Sequence, residues 1–164
     1  MAPAKRRPNK RQGGVELMPV TTTPSLAKGA LAGLIGTAAM TAAQKAEMRV
    51  SGRQPSLVPG HVASKLMRLT PDDDEALSRI SIRMHWAHGM TMGTVRALIG
   101  RTGLEGPTAA AAHFAVMWSG DVMLYKVLGI ASWPWQWSLE ELAPDVLHKG
   151  IYAAATGAAY DRLS

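Results

Sequence analysis

An all-α fold, a four-helix transmembrane bundle with a short amphipathic connector between its first two helices, is what the sequence predicts. Three observations carry that expectation. The 164 residues suffice for one domain and are too few for two ordinary ones. The apolar content rests on small or flexible side chains, 16 Gly and 10 Met against a single Phe, and small residues let helix backbones approach closely in lipid. The stretch between Lys28 and Lys45 holds sixteen residues without a charge, close to the ~18 to 20 that cross a bilayer.

The chain divides into a disordered basic tail at residues 1–23 and a four-helix membrane domain at residues 24–164. Lys5, Arg6, Arg7, Lys10 and Arg11 crowd the first eleven positions among Pro3, Pro8, Gly13 and Gly14, a composition that cannot bury a core. The formal net charge of +6 is therefore concentrated where it suits anionic headgroups or the positive-inside rule. No aromatic residues are interleaved to stack on bases, so nucleic acid is not expected as a partner. The apolar segment lies too far from the N-terminus, with no small-residue cleavage site after it, for a signal peptide, and an uncleaved first helix is expected.

That first helix is predicted over Leu26 to Ala43, with Lys28 snorkelling outward to supply the missing turn. Gly29, Gly33, Gly36, Met40 and Gln44 share one face, a groove of small residues ending in a polar group. From Lys45 to Arg79 the chain becomes a polar connector with Pro55, Pro59 and Pro71. Within it Val62, Leu66 and Leu69 can form a short amphipathic helix at the membrane surface. Thr70-Pro-Asp-Asp reads as a helix start, its acidic run complementing a helix N-terminus rather than binding metal.

A second helix is predicted over Ile80 to Ile99, a third over Thr108 to Ile130 and a fourth over Pro144 to Tyr160, interrupted by Arg96, Asp121, Lys126 and Lys149. Gly89, Gly93 and Gly157 are assigned to close helix contact. Trp133, Trp135 and Trp137 cluster in a turn after the third helix, where amphipathic rings anchor at headgroup level; use as the core of a soluble bundle is the alternative. An inside N-terminus makes the tail, Arg101 and Arg162 cytoplasmic, although the connector's bases then lie outside. His88-x4-Gly93 is echoed by Tyr152-x4-Gly157.

Helix rise converts these positions into depth. With the second and fourth helices starting at the same face, His85, His88 and His148 lie within two turns of it. The third helix brings Asp121 to that level and the first ends there. A polar layer of Gln44, His85, His88, Asp121, Tyr125, His148 and Tyr152 follows. Ionisable groups in membrane segments face the interior or a water-filled cavity. The layer can hold the helices in register, relay protons or ions, or place His85, His88 and His148 around a metal or haem. His113 is expected on the other side, outside the layer, and His61 in the connector.

Without Cys there is no disulfide, thiolate metal site or Cys nucleophile. The Gly-x-Ser-x-Gly elbow, the phosphate-cradling Gly-x4-Gly-Lys-Ser/Thr loop and the His-Glu-x-x-His motif are also missing from the sequence. No enzyme activity, cofactor or metal is expected.

Lys28-Gly-Ala-Leu-Ala-Gly-Leu-Ile-Gly-Thr-Ala-Ala-Met40, Ser51-Gly-Arg-Gln-Pro-Ser56, His85-Trp-Ala-His-Gly89 and His148-x3-Tyr152-x4-Gly157-x2-Tyr160-Asp161 together resemble a family of small bacterial four-helix membrane proteins, the YagU-like or DUF1440-like group. The likeness covers roughly residues 25 to 162. It implies a multi-pass protein of the bacterial cytoplasmic membrane and no particular reaction, and it implies an aromatic at position 88, where this chain has His. The leading expectation is an accessory or structural protein in the lipid bilayer, as a homo-oligomer or beside another membrane protein. The alternative is a small transporter or proton-conducting module working through the polar layer.

Overall fold

The computed structural model describes residues 25–164, so the predicted basic tail lies outside the described residues. Ser25 caps the first helix, its hydroxyl accepting the Lys28 N–H at 3.4 Å. Helix α1 (Leu26–Ser51) continues well past the predicted end at Ala43, because residues 42–48 are mostly good helix formers. Gly52 stops it in the left-handed region at φ 74°, its N–H donating to the Met48 carbonyl at 2.9 Å.

Helix α2 (Val58–Met67) starts with Pro59 in its first turn. Its Val62 and Ala63 are buried, and Gly60 lies so close to Leu77 that a Cβ there would stand 2.8 Å from the Leu77 carbonyl oxygen. Leu66 and Leu69 stay exposed, so of the predicted apolar stripe only Val62 faces the protein.

Helix α3 (Asp74–Gly100) begins six residues before the predicted Ile80. Asp73 accepts the Ala76 N–H at 2.7 Å, and Asp74 and Glu75 fill the first turn, satisfying a free donor and complementing the helix dipole. Helix α4 (Gly106–Val127) stops short of Ile130. A single 3₁₀ turn, Pro134–Gln136, follows, with the Trp133 and Trp135 rings stacked at 5.1 Å.

Helix α5 (Leu139–Leu163) starts before the predicted Pro144. Ser138 accepts the Glu141 N–H at 3.2 Å and donates its own N–H to the Glu141 carboxylate at 2.8 Å, a reciprocal cap that fixes the start. Pro144 therefore sits inside the helix and cannot donate to the Glu140 carbonyl.

The four long helices run up and down in sequence. Gly29 meets Gly93 and Ala97, Thr41 meets His85, and Gly36 meets Tyr152 and Thr156, so α1 lies antiparallel to both α3 and α5. The α1–α3 crossing is made of facing pairs, Gly29 and Gly33 against Gly89 and Gly93. A Cβ on Gly29 would sit 2.6 Å from the Gly93 carbonyl oxygen, and one on Gly93 would sit 2.7 Å from the Gly33 Cα. Such backbone proximity is open only to glycine on both sides.

The interior holds a share of large polar side chains and the exterior a belt of large apolar ones. The largest fully buried side chains are Arg96, Tyr152, His113, Thr37 and Thr156, and the buried apolar cluster is Ala32, Ala97, Ala159 and Tyr160. On the outward face a charge-free belt runs between Lys28 and Lys45 on α1, Arg83 and Arg101 on α3, Pro107 and Lys126 on α4, and Glu141 and Asp161 on α5: within those limits no exposed residue is charged. Leu31, Ile35, Trp86, Met90, Leu98, Val116, Met123 and Leu147 are exposed there. At 1.5 Å per residue the belt is about 24 to 28 Å deep. Arg96, Asp121, Asp145 and Lys149 fall within it but turn inward. Averaged over both faces, α1 is the one helix among the described residues long and apolar enough to cross a membrane, because the inward charges lower the mean on the others.

Candidate functional site

Tight packing at the glycine crossing gives way, toward the end of the bundle carrying α2 and the tryptophan turn, to a partly open chamber of about 370 Å³. All seven residues of the predicted polar layer line it: Gln44 from α1, His85 and His88 from α3, Asp121 and Tyr125 from α4, and His148 and Tyr152 from α5. Arg53, Ser56, Glu140 and Glu141 form its outer rim.

Asp121 is the buried centre of the site. Its Oδ1 lies 3.2 Å from His88 Nε2 and its Oδ2 lies 3.2 Å from Lys149 Nζ. Lys149 reaches Asp145 Oδ1 at 2.9 Å one helical turn away, and sits 5.2 Å from the centre of the Tyr125 ring. The indole N–H of Trp118 donates to Asp145 Oδ2 at 2.9 Å. Two carboxylates, one ammonium and one imidazole are thus chained together, with the Lys149 side chain only 12% exposed. A lone charge at such depth is costly, and each of the two carboxylates and the ammonium has an opposite charge within ion-pair distance.

The remaining imidazoles are held apart. His85 Nε2 lies 3.1 Å from the Thr41 hydroxyl. His148 is buried with its Nε2 lacking a protein hydrogen-bond partner, and His88 Nε2, although near Asp121, falls outside hydrogen-bond geometry. Among the described residues no three His, Asp or Glu side chains come together as metal ligands. The three imidazoles of the layer point apart, His85 turning to Thr41 of α1 and His88 to Asp121 of α4. At the chamber floor the Tyr152 hydroxyl donates to the Gly89 carbonyl at 2.6 Å. Outside the belt, Arg53 binds the Glu47 carboxylate at 2.8 Å, and this hydrogen bonding holds the Glu47 carboxyl below its ordinary range.

The glycines assigned to packing lie at helix contacts. Gly29, Gly33, Gly89 and Gly93 form the α1–α3 crossing, Gly36 faces Thr156 and Tyr152, and Gly157 meets the Ala110 Cβ. His113 departs from its expected place. It is completely buried, its ring centre is 5.6 Å from that of Tyr152, and its Nε2 lies 2.9 Å from the Met92 carbonyl oxygen, so it abuts the layer from below.

Lys149 as the partner of Asp121, and Asp145 and Trp118 beyond it, were not anticipated. The signal for Asp145 and Lys149 was their four-residue spacing, which puts opposite charges on one helix face. Arg96 is a further buried cation, 1% exposed, pairing with Asp161 Oδ1 at 2.5 Å and stacking on the Tyr160 ring at 4.9 Å. It lines a second cavity of about 430 Å³ at the opposite end of the bundle.

Compared with family models, curated proteins and solved structures, the chain matches none.

Proposed function

We propose that the chain is a four-span protein of the bacterial cytoplasmic membrane whose polar chamber takes up and passes protons, a small ion-conducting module rather than a passive support. The observation that carries this reading is the chained cluster of His88, Asp121, Lys149 and Asp145 lining an open chamber, inside a bundle whose belt exposes no charge. The belt supports immersion in hydrocarbon, because lipid meets only the outward face of a helix and that face is uncharged on all four. Its depth suits a bilayer core of about 30 Å.

A layer serving only to hold helices in register satisfies its groups against one another and closes the space between them. Here the space is open and two imidazole nitrogens lack hydrogen-bond partners. Imidazole and carboxylate in a water-accessible chamber are the groups from which proton relays are built. The accessory role that the sequence favours leaves the chamber without a purpose. With the N-terminus inside, as the charge of the tail predicts, the chamber opens outward.

The test is reconstitution into liposomes enclosing a pH-sensitive dye. An imposed proton gradient should dissipate faster than in empty vesicles, and Asp121→Asn should return the rate to the empty-vesicle level. Release of the protein into the supernatant by alkaline carbonate, or an Asp121→Asn variant that dissipates the gradient like the wild type, would refute the proposal.

A further inference from the structure

The chamber ends at Tyr152 and Gly89, yet polar groups continue beneath it. On α5 the inward face reads His148, Tyr152, Thr156, Tyr160 at successive turns, all buried, a polar ladder of about 18 Å along the helix. Below the floor stand the buried Thr156 Oγ1, His113 Nδ1, and Arg96 Nε and Nη1, none with a hydrogen-bond partner in the protein. Among the described residues seven buried side-chain polar atoms lack a partner, and all but the Ser64 hydroxyl belong to the chamber or to this stretch beneath it. Buried polar atoms left dry are costly, and in folded proteins such atoms bind internal water. Their confinement to one path is what random packing defects would not produce.

Resting on the proton-conducting reading of the chamber, we infer that a file of buried water molecules continues from the Tyr152–Gly89 floor past Thr156 and His113 to Arg96 and the second cavity, completing a proton route between the two ends of the bundle. The hydrogen bond from Tyr152 to the Gly89 carbonyl bridges α5 and α3 where the chamber ends and the file begins. The charged and titratable groups facing the file are His113 from α4, Arg96 from α3, and Tyr152, Tyr160 and Asp161 from α5. From α1 come Gly36 along the file and Lys28 at the second cavity, where Glu105 ahead of α4 also faces it.

The fixed charge of Arg96 opposes any passing cation, the proton included, and Asp161 Oδ1 at 2.5 Å offsets it. A proton handed from water to water needs no room for a hydrated ion, which a metal cation would require. It leaves through Asp161, whose side chain is 41% exposed and lies in the second cavity. One proton enters at the chamber for each that leaves, so nothing is consumed.

Thr156→Val tests the file, since it removes a hydroxyl that has no protein partner and nearly keeps the volume. In the liposome assay it should slow proton flux about tenfold, the rate equivalent of one lost hydrogen bond, while Thr156→Ser stays within about twofold of wild type. Potassium flux should stay at the level of empty vesicles. Radiolytic hydroxyl labelling of the wild-type protein gives a second readout: the buried His113 and Tyr152 should be modified several-fold faster than the buried Leu77 after correction for intrinsic reactivity. Wild-type flux from Thr156→Val alongside a silent Asp121→Asn would overturn the file and leave the chamber reading standing. Protection of His113 equal to that of Leu77, with Tyr152 at the chamber floor still labelled, would do the same. Absence of flux from the wild type itself would overturn both.

Discussion

Replacing Gly93 by Ala should destabilise the bundle even though alanine is the better helix former. A methyl group there would lie 2.7 Å from the Gly33 Cα and N and would collide with the Gly29 carbonyl oxygen. Ordinary contact begins at 3.4 Å, so α1 and α3 must part by more than about 0.7 Å at their crossing, enough to forfeit at least a quarter to a half of the dispersion well for pairs across it. Overpacking of this kind costs about 1 to 3 kcal/mol. The gain in helix propensity returns about 1 kcal/mol, leaving a net loss of up to about 2 kcal/mol. Gly120→Ala is the matched control: nothing lies within 4 Å of a Cβ at that position, so propensity acts alone and stabilises by about 0.5 to 1 kcal/mol. Reversible unfolding by detergent titration in bicelles, followed by tryptophan fluorescence, measures both. If Gly93→Ala were as stable as the wild type while Gly120→Ala showed its gain, the glycine crossing would not be the contact described.

Two further predictions concern the buried charges. Lys149 lies between Asp121 and Asp145 at 3.2 and 2.9 Å, so Lys149→Met strands two carboxylates and should cost about 3 to 5 kcal/mol. Asp121→Asn should cost less, and the double variant less than Lys149→Met alone; simple additivity in the same titration would contradict the coupling. At the other end Arg96 is buried while its partner Asp161 is 41% exposed. Asp161→Ala, which leaves a guanidinium buried and unpaired, should therefore be more destabilising than Arg96→Met, which leaves a carboxylate that water can reach; the opposite order would refute the assigned burial.

Much of this arrangement was legible in the sequence, and the unread parts have physical causes. The spacing of Gly29, Gly33 and Gly36 defined a packing face on α1. Counting helix rise from the two ends placed the seven polar residues at one depth, where they line one chamber. Helix ends were less legible because two signals competed. Pro144 resembles a first-turn proline, but Ser138 and Glu141 form a reciprocal cap one turn earlier and prevail. The acidic run at Asp72 to Glu75 marked a helix start, although α3 begins within the run rather than after it. Lys149 reads as an interruption of an apolar segment, when its four-residue spacing from Asp145 also makes the two an ion pair. Nothing in the local sequence separates a buried Arg96 from an exposed one, since its burial depends on Tyr160 and Asp161 more than sixty residues away. His113 was misplaced for the same reason: its burial is decided by Tyr152 and by the Met92 carbonyl on another helix.

The packing and the chemistry share their residues. In water a bundle is driven together by burying large apolar side chains, each worth about 1.5 to 3 kcal/mol, yet here Leu31, Ile35, Met90, Val116 and Leu147 remain outside and the buried apolar cluster contains three alanines and a tyrosine. Close backbone contact and polar side-chain bonds have to supply the specificity instead, which is how helices associate in lipid. Gly89 joins the two. Its missing side chain lets Thr37 of α1 approach, since a Cβ there would collide with the Thr37 hydroxyl, and its carbonyl accepts the Tyr152 hydroxyl that floors the chamber. One turn earlier along α3, Thr41 bonds His85 inside the chamber. The depth at which the glycines cross therefore sets the depth of the chamber floor and the separation of the two cavities, so any residue larger than glycine at position 89 would alter the proposed route by displacing the wall rather than by touching a titratable group.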